Sequence, residues 1–161
     1  MAQARRPLVI AESVEAEALA TLVVNRLRGI LESVAVKAPG YGDRRKELMQ
    51  DMAILTGARF LSADLGVRLD AVKPADLGSA TRVAVGRDAT TIIGGRGDRH
   101  AIAARCAEIR RQIKEAKGDY ERQKLEERLA KLAGGVVVAD VRRGTGAHGF
   151  DAGPGGRLRP G

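Results

Sequence analysis

Aromatic side chains are nearly absent from this chain: its 161 residues hold two Tyr, two Phe and no Trp. With Tyr41, Phe60, Tyr120 and Phe150 as the only rings, the interior must be built from Val, Ile, Leu and Ala, which suits an α/β protein. Cysteine is as scarce. Cys106 stands alone, so no internal disulfide can form, and a reducing compartment fits. Two His and one Cys, far apart in sequence, do not make a metal site. Long apolar runs are missing too: the longest, Leu19 to Val24 (LATLVV), falls far short of the roughly 18 residues needed to cross a bilayer. The first ten residues, MAQARRPLVI, carry two Arg but no apolar stretch leading to a small-residue cleavage site. No signal peptide is therefore expected, and a cytoplasmic location is the default. The length suits one domain around one core.

What the chain has in excess is positive charge, +8 overall. Clustered Lys and Arg gain affinity for nucleic acid by releasing phosphate counterions. Here, however, Arg5 and Arg6 supply +2, and the four Arg beyond Val136, set against Asp140 and Asp151, supply another +2. The middle is left at +4, of mixed sign, with little interleaving of rings and basic residues. That distribution weighs against nucleic acid as a partner and favours a solvated surface.

The apolar pattern predicts alternating strands and helices. Pro7 to Ile10 reads as a buried strand. Ser13 is placed to cap a helix with Glu15 and Glu17 in its first turn, with Leu19, Leu22, Val23 and Leu27 at helical spacing and Gly29 as its stop. A second strand follows at Ser33 to Lys37. Pro39, Gly40 and Gly42 break it, Asp43 is the expected N-cap of the next helix, Leu48, Met52 and Leu55 mark its apolar face, and Gly57 ends it. Phe60 and Leu61 suggest a short third strand. Thr81 to Val85 and Thr90 to Ile93, around Gly86, Arg87 and Asp88, read as a hairpin.

From Asp98 the pattern becomes two consecutive helices. Ile102, Cys106, Ile109, Ile113 and Ala116 form one seam and Leu125, Leu129 and Leu132 another, with Gly118 between them and Asp119 as the expected N-cap of the second. So short a connection predicts an antiparallel pair. Gly134 and Gly135 end the second helix, and Val136 to Val138 read as one more strand. Residues 142–161 hold seven Gly and two Pro, with little to offset the entropy of ordering, and are expected to be disordered.

Motifs for chemistry are few. GGRGD at 94–98 precedes a helix, as phosphate cradles do, but it lacks the Lys and Ser/Thr of a P-loop and the glycine spacing of a dinucleotide site, so a tight turn is favoured. Asp43, Arg44 and Arg45 cluster at a helix start, where the arginines reach solvent or a neighbouring subunit. Cys106 lies on an apolar seam, His100 at a helix start and His148 in the tail, and no activating partner is evident for any of them. Glu121, Glu126 and Glu127 alternate with Lys124, Arg128 and Lys131 on what reads as a solvated face, with Glu127 and Lys131 as an i,i+4 pair. No catalytic, cofactor-binding or metal-binding residues are assigned.

Four stretches nonetheless resemble the group I (GroEL-type) chaperonins: PLVIAESVEAEALATLVVN at 7–25, VAVKAPGYGDRRKELMQDMAILTG at 34–57, TTIIGGRGD at 90–98 and DYERQKLEERLAKLAGGVVV at 119–138. They occur in the family's order over residues 7–138. The resemblance implies that residues 7–134 correspond to the later part of a chaperonin apical domain, α/β in fold, with the helix pair at about 99–133. It implies that 135–138 begin the return into the intermediate domain, between a flexible 1–6 and an aberrant, disordered tail at 139–161. Gly134 and Gly135 match the paired glycines of the family's apical hinge, where free backbone rotation lets a rigid domain swing.

In that family the apical domain captures unfolded polypeptide and a co-chaperonin lid, an equatorial domain binds ATP and magnesium, and seven subunits close each ring. The resemblance places the two main gripping helices before this segment and the ATPase residues outside it. The expected product is thus a chaperonin fragment that is not itself an enzyme, holds no cofactor and is not expected to form the ring. After Val138 the family pattern gives way to Gly/Arg/Pro-rich sequence, as a frameshift in a GC-rich gene would produce, so a gene remnant is an alternative. A module docking on full-length chaperonin or nucleic acid through its basic ends is another.

Overall fold

The structure is a computed structural model that describes residues 6–86 and 89–140. Four helices and two small sheets give a mixed α/β fold. The β-branched runs LVIA and VAVK form β1 (Leu8–Ala11) and β2 (Val34–Lys37), paired in parallel from Leu8 opposite Val34 to Ala11 opposite Lys37. Parallel neighbours cannot be joined by a tight hairpin, so the chain must cross over. Helix α1 (Ala16–Leu27) makes that crossing and stops at Gly29, whose φ of 68° is open to glycine at little cost.

Several expected caps are corrected. Helix α1 starts after Glu15, which leaves Ser13 too far back for its hydroxyl to reach the first free amides. Helix α2 (Gly42–Thr56) has Tyr41 at its N-cap, and α4 (Asp119–Ala133) has Gly118 there. Asp43 and Asp119 therefore lie inside the first turn, where their charge complements the helix dipole without capping. Helix α3 (Arg99–Glu115) does have a side-chain cap: Asp98 accepts the Ala101 N–H at 3.0 Å.

No strand forms at Phe60 and Leu61. The backbone there is held by single loop bonds, Arg59 N–H to the Asp76 carbonyl at 2.8 Å and Ser79 N–H to that of Thr56 at 2.9 Å, instead of a ladder. Short 3₁₀ turns at Ala63–Leu65, Leu69–Ala71 and Pro74–Asp76 fill the interval.

The hairpin is present as β3 (Ala80–Val85) and β4 (Ala89–Gly95), with Arg82 opposite Ile93 and Val85 opposite Thr90; Arg87 and Asp88 of its turn lie outside the described residues. Strand β5 (Val136–Asp140) pairs antiparallel with the other edge of β4, Ile92 opposite Val137. Strand β4 is thus central, and its alternate residues Thr90 and Ile92 turn inward, 1% and 3% exposed. The core joins Met52 and Leu55 of α2, Ile92, Cys106 and Ile109 of α3, Leu132 of α4 and Val137 of β5, with Leu8 and Ile10 of β1 packed against it. The helical seams therefore face one common core. The tail expected to be disordered from 139 is corrected at its start, where residues 139 and 140 extend β5 along β4; residues 1–5 and 141–161 lie outside the described residues. Among the described residues no helix is long and apolar enough to cross a membrane.

The end of β4 runs close against the end of α2. Gly97 donates its N–H to the Leu55 carbonyl at 2.9 Å, and a Cβ at Gly97 would sit 2.0 Å from the Ile54 carbonyl oxygen. Backbone on both sides leaves no flexible neighbour to yield. Gly97→Ala should cost about 1–3 kcal/mol or more in urea unfolding. Gly118→Ala, where a Cβ meets nothing within 4 Å, should change stability by less than about 0.5 kcal/mol.

Candidate functional site

Any surface this chain presents depends on how its helices are fixed, and a buried ionic cluster does much of the fixing. Asp51 of α2 is 2% exposed, beside Met52, Ala53 and Leu55, the other buried residues of its helix. Its Oδ1 accepts from Arg105 Nε at 2.7 Å and its Oδ2 from Arg128 Nε at 2.5 Å, joining α2 to both α3 and α4. Each arginine has a second carboxylate nearer solvent: Glu108 for Arg105 at 2.7 Å and Glu47 for Arg128 at 2.6 Å. Burial alone would lower the Arg105 pKa, but its hydrogen bonds to Asp51 and Glu108 prevail and raise it above the ordinary value.

The solvated face expected on α4 is therefore corrected at one position. Arg128 is 8% exposed because Asp51 holds it inward. The carboxylate of Glu127 pairs with Lys124 at 2.8 Å, one turn back, and not with Lys131. That hydrogen bond to Lys124 holds the Glu127 carboxyl below its usual range.

Gly134 and Gly135 terminate α4. The Gly134 N–H donates to the Ala130 carbonyl at 3.0 Å and Gly135 to that of Leu132 at 3.1 Å. Only Gly135 has a left-handed φ, 68°, and its carbonyl accepts from Gly94 N–H at 3.1 Å. The pair forms a tight junction between α4 and β5, and β5 remains within the β4 sheet.

Helix α1 contrasts with the other three: none of its residues is buried. Leu19, Val24 and Leu27 are exposed, Leu27 by 82%, and Ile30 and Leu31 just beyond the helix are exposed as well. Within the helix Ala20, Val24 and Leu27 step by four and three, so the exposed apolar side chains form a short stripe. The apolar positions expected at helical spacing divide: Leu22 and Val23 are half-buried, while Leu19 and Leu27 are left to solvent.

The motif at 94–98 is a turn. Amides that a phosphate would need are engaged elsewhere: Gly94 with Gly135, Arg96 with Ser79 at 2.9 Å, and Gly97 with Leu55. His100 is exposed at the start of α3 and Cys106 is buried in the core, while His148 lies outside the described residues. Residues 43–45 divide: Arg45 is drawn back to Glu12 and to the Gly40 carbonyl, whereas Arg44 stays on the surface. No family model matches the chain.

The ionic cluster generates a test. Asp51→Asn leaves two buried guanidinium groups under-compensated and should cost about 3–5 kcal/mol in urea unfolding. Replacing Asp51, Arg105 and Arg128 together by Leu, Met and Met should recover most of that loss, because no buried charge is then left unpaired.

Proposed function

We propose that this chain is an apical-domain segment of a group I chaperonin and that it contributes a surface for unfolded polypeptide. The resemblance supports the family: its four stretches run from β1 into α1, from β2 through α2, from β4 to the cap of α3, and from α4 into β5. The observation that carries the function is the unburied apolar stripe of α1. Non-native chains are recognised through apolar side chains normally hidden in a core, and a helix displaying Leu19, Val24 and Leu27 offers them contact without requiring a particular sequence.

This reading gives α1 a gripping role that the resemblance had placed wholly before the segment. A co-chaperonin lid would compete for the same face. In this proposal Gly134 and Gly135 act as the hinge when β5 leaves the edge of β4, with which it is paired, while the Asp51 cluster keeps the rest of the body rigid. ATP and magnesium belong to the full-length family's equatorial domain.

Val24→Asp combined with Leu27→Asp should weaken binding of a permanently unfolded, carboxymethylated protein at least tenfold, since burying such a side chain contributes about 1.5–3 kcal/mol. The thermal midpoint should fall only slightly, because the two carboxylates oppose the dipole at the last turn of α1 but neither residue is in the core. Undiminished affinity in the double variant would remove α1 as the gripping surface. Calorimetric titration of the chain with ATP and magnesium should show no saturable heat; micromolar binding would place a nucleotide site here against the proposal.

A further inference from the structure

A second surface lies on the other side of α2, where the β2–α2 connection faces α4. It is a groove of about 510 Å³ whose lining includes Lys37, Arg44, Lys124 and Lys131 together with the rings of Tyr41 and Tyr120. Both tyrosines are exposed, by 63% and 69%. They account for every Tyr in the chain. A cation already lies against each ring, Arg45 5.4 Å from the centre of Tyr41 and Lys124 5.7 Å from that of Tyr120.

The charge of the groove is unbalanced. Glu127 is the one carboxylate among its lining residues, and Lys124 occupies it. Arg45, also in the lining, is bound to Glu12. Lys37, Arg44 and Lys131 form no ion pair among the described residues. Three cations outside ion-pair distance of any carboxylate, Arg44 and Lys131 still within the field of Glu127, share the groove with two exposed rings and combine a track for phosphates with flat faces for bases. In the sequence the rings and cations are scattered between residues 37 and 131; folding brings them together.

We infer that this groove binds a short single strand of nucleic acid, its phosphates on Lys37, Arg44 and Lys131 and its bases stacked on Tyr41 and Tyr120. Ala38, Pro39, Leu48 and Val138 add apolar surface to the lining, but the excess of cations and the two exposed rings favour a polyanion over a peptide. A free phosphate would use the cations but not the rings. The inference does not rest on the chaperonin reading, because α1 takes no part in the groove.

The test is fluorescence anisotropy of labelled dT8 and U8 with the full chain at 50 mM and 200 mM salt, with unlabelled linear polyphosphate as competitor. Tyr41→Ala with Tyr120→Ala should weaken oligonucleotide binding at least tenfold and leave polyphosphate competition unchanged, while Tyr41→Phe with Tyr120→Phe should bind as the parent does. Arg44→Glu with Lys131→Glu should weaken both ligands and flatten the salt dependence by about two counterions. All four positions are exposed, and circular dichroism would verify that each variant is folded. Several results would overturn the inference: no binding by the parent, binding insensitive to both pairs of changes (as expected if the basic ends were responsible), or charge-sensitive binding indifferent to loss of the rings.

Discussion

A single carboxylate, Asp51, governs how the helical half of this protein is assembled. Taking a charge out of water costs several kcal/mol unless partners meet it with good geometry. Both of its oxygens are occupied, one by each of two arginines on different helices. Arg105 and Arg128 stand at nearly equal distances on either side of the 116–118 connection, so an antiparallel hairpin brings them to the same level. A slip of one helical turn in α4 would carry Arg128 away from Asp51 and leave the buried carboxylate with Arg105 alone. The ionic cluster thus selects one register for the hairpin, while Ile109, Leu132 and Met52 supply the apolar contact around it.

From that fixed body the remaining elements follow. Gly97 and Gly95 allow β4 to approach the end of α2, which places Ile92 over the core and gives β5 an edge to join. Strand β1 adds Leu8 and Ile10 to the same core, and β2 pairs beside it. Helix α1, needed to connect these parallel strands, contributes no buried residue. The result is a rigid frame displaying an apolar helix on one surface and a basic, tyrosine-flanked groove on another. The proposed polypeptide-binding role uses the first, and the inferred single-strand site uses the second.

Much of this was legible in the amino-acid order. Hydrophobic spacing located all four helices, the hairpin and the last strand, because each depends on local periodicity and on Gly or Pro at its ends. Cap assignments at Ser13, Asp43 and Asp119 missed by one or two residues, since a capping side chain and a first-turn acidic residue leave the same trace in a sequence. The strand at Phe60 failed because two apolar residues do not specify a pairing partner. Arg128 was hidden for a deeper reason. In an i,i+4 charge pattern it looks solvated, and only contact with Asp51, 77 positions away, draws it inward. A clue was available in Asp51 itself, a carboxylate adjoining Met52 on the apolar face of α2. The pairing of Tyr41 with Tyr120 across one groove was likewise invisible until the chain folded.

The central claim is that unfolded polypeptide is gripped by α1 on a frame that stays closed. Hydrogen–deuterium exchange of the chain with and without a permanently unfolded protein tests it most directly. The account predicts added protection over residues 16–31, with α2, α3 and α4 equally slow in both states. Protection elsewhere with α1 unchanged, or loosening of the Asp51-linked helices on binding, would contradict it.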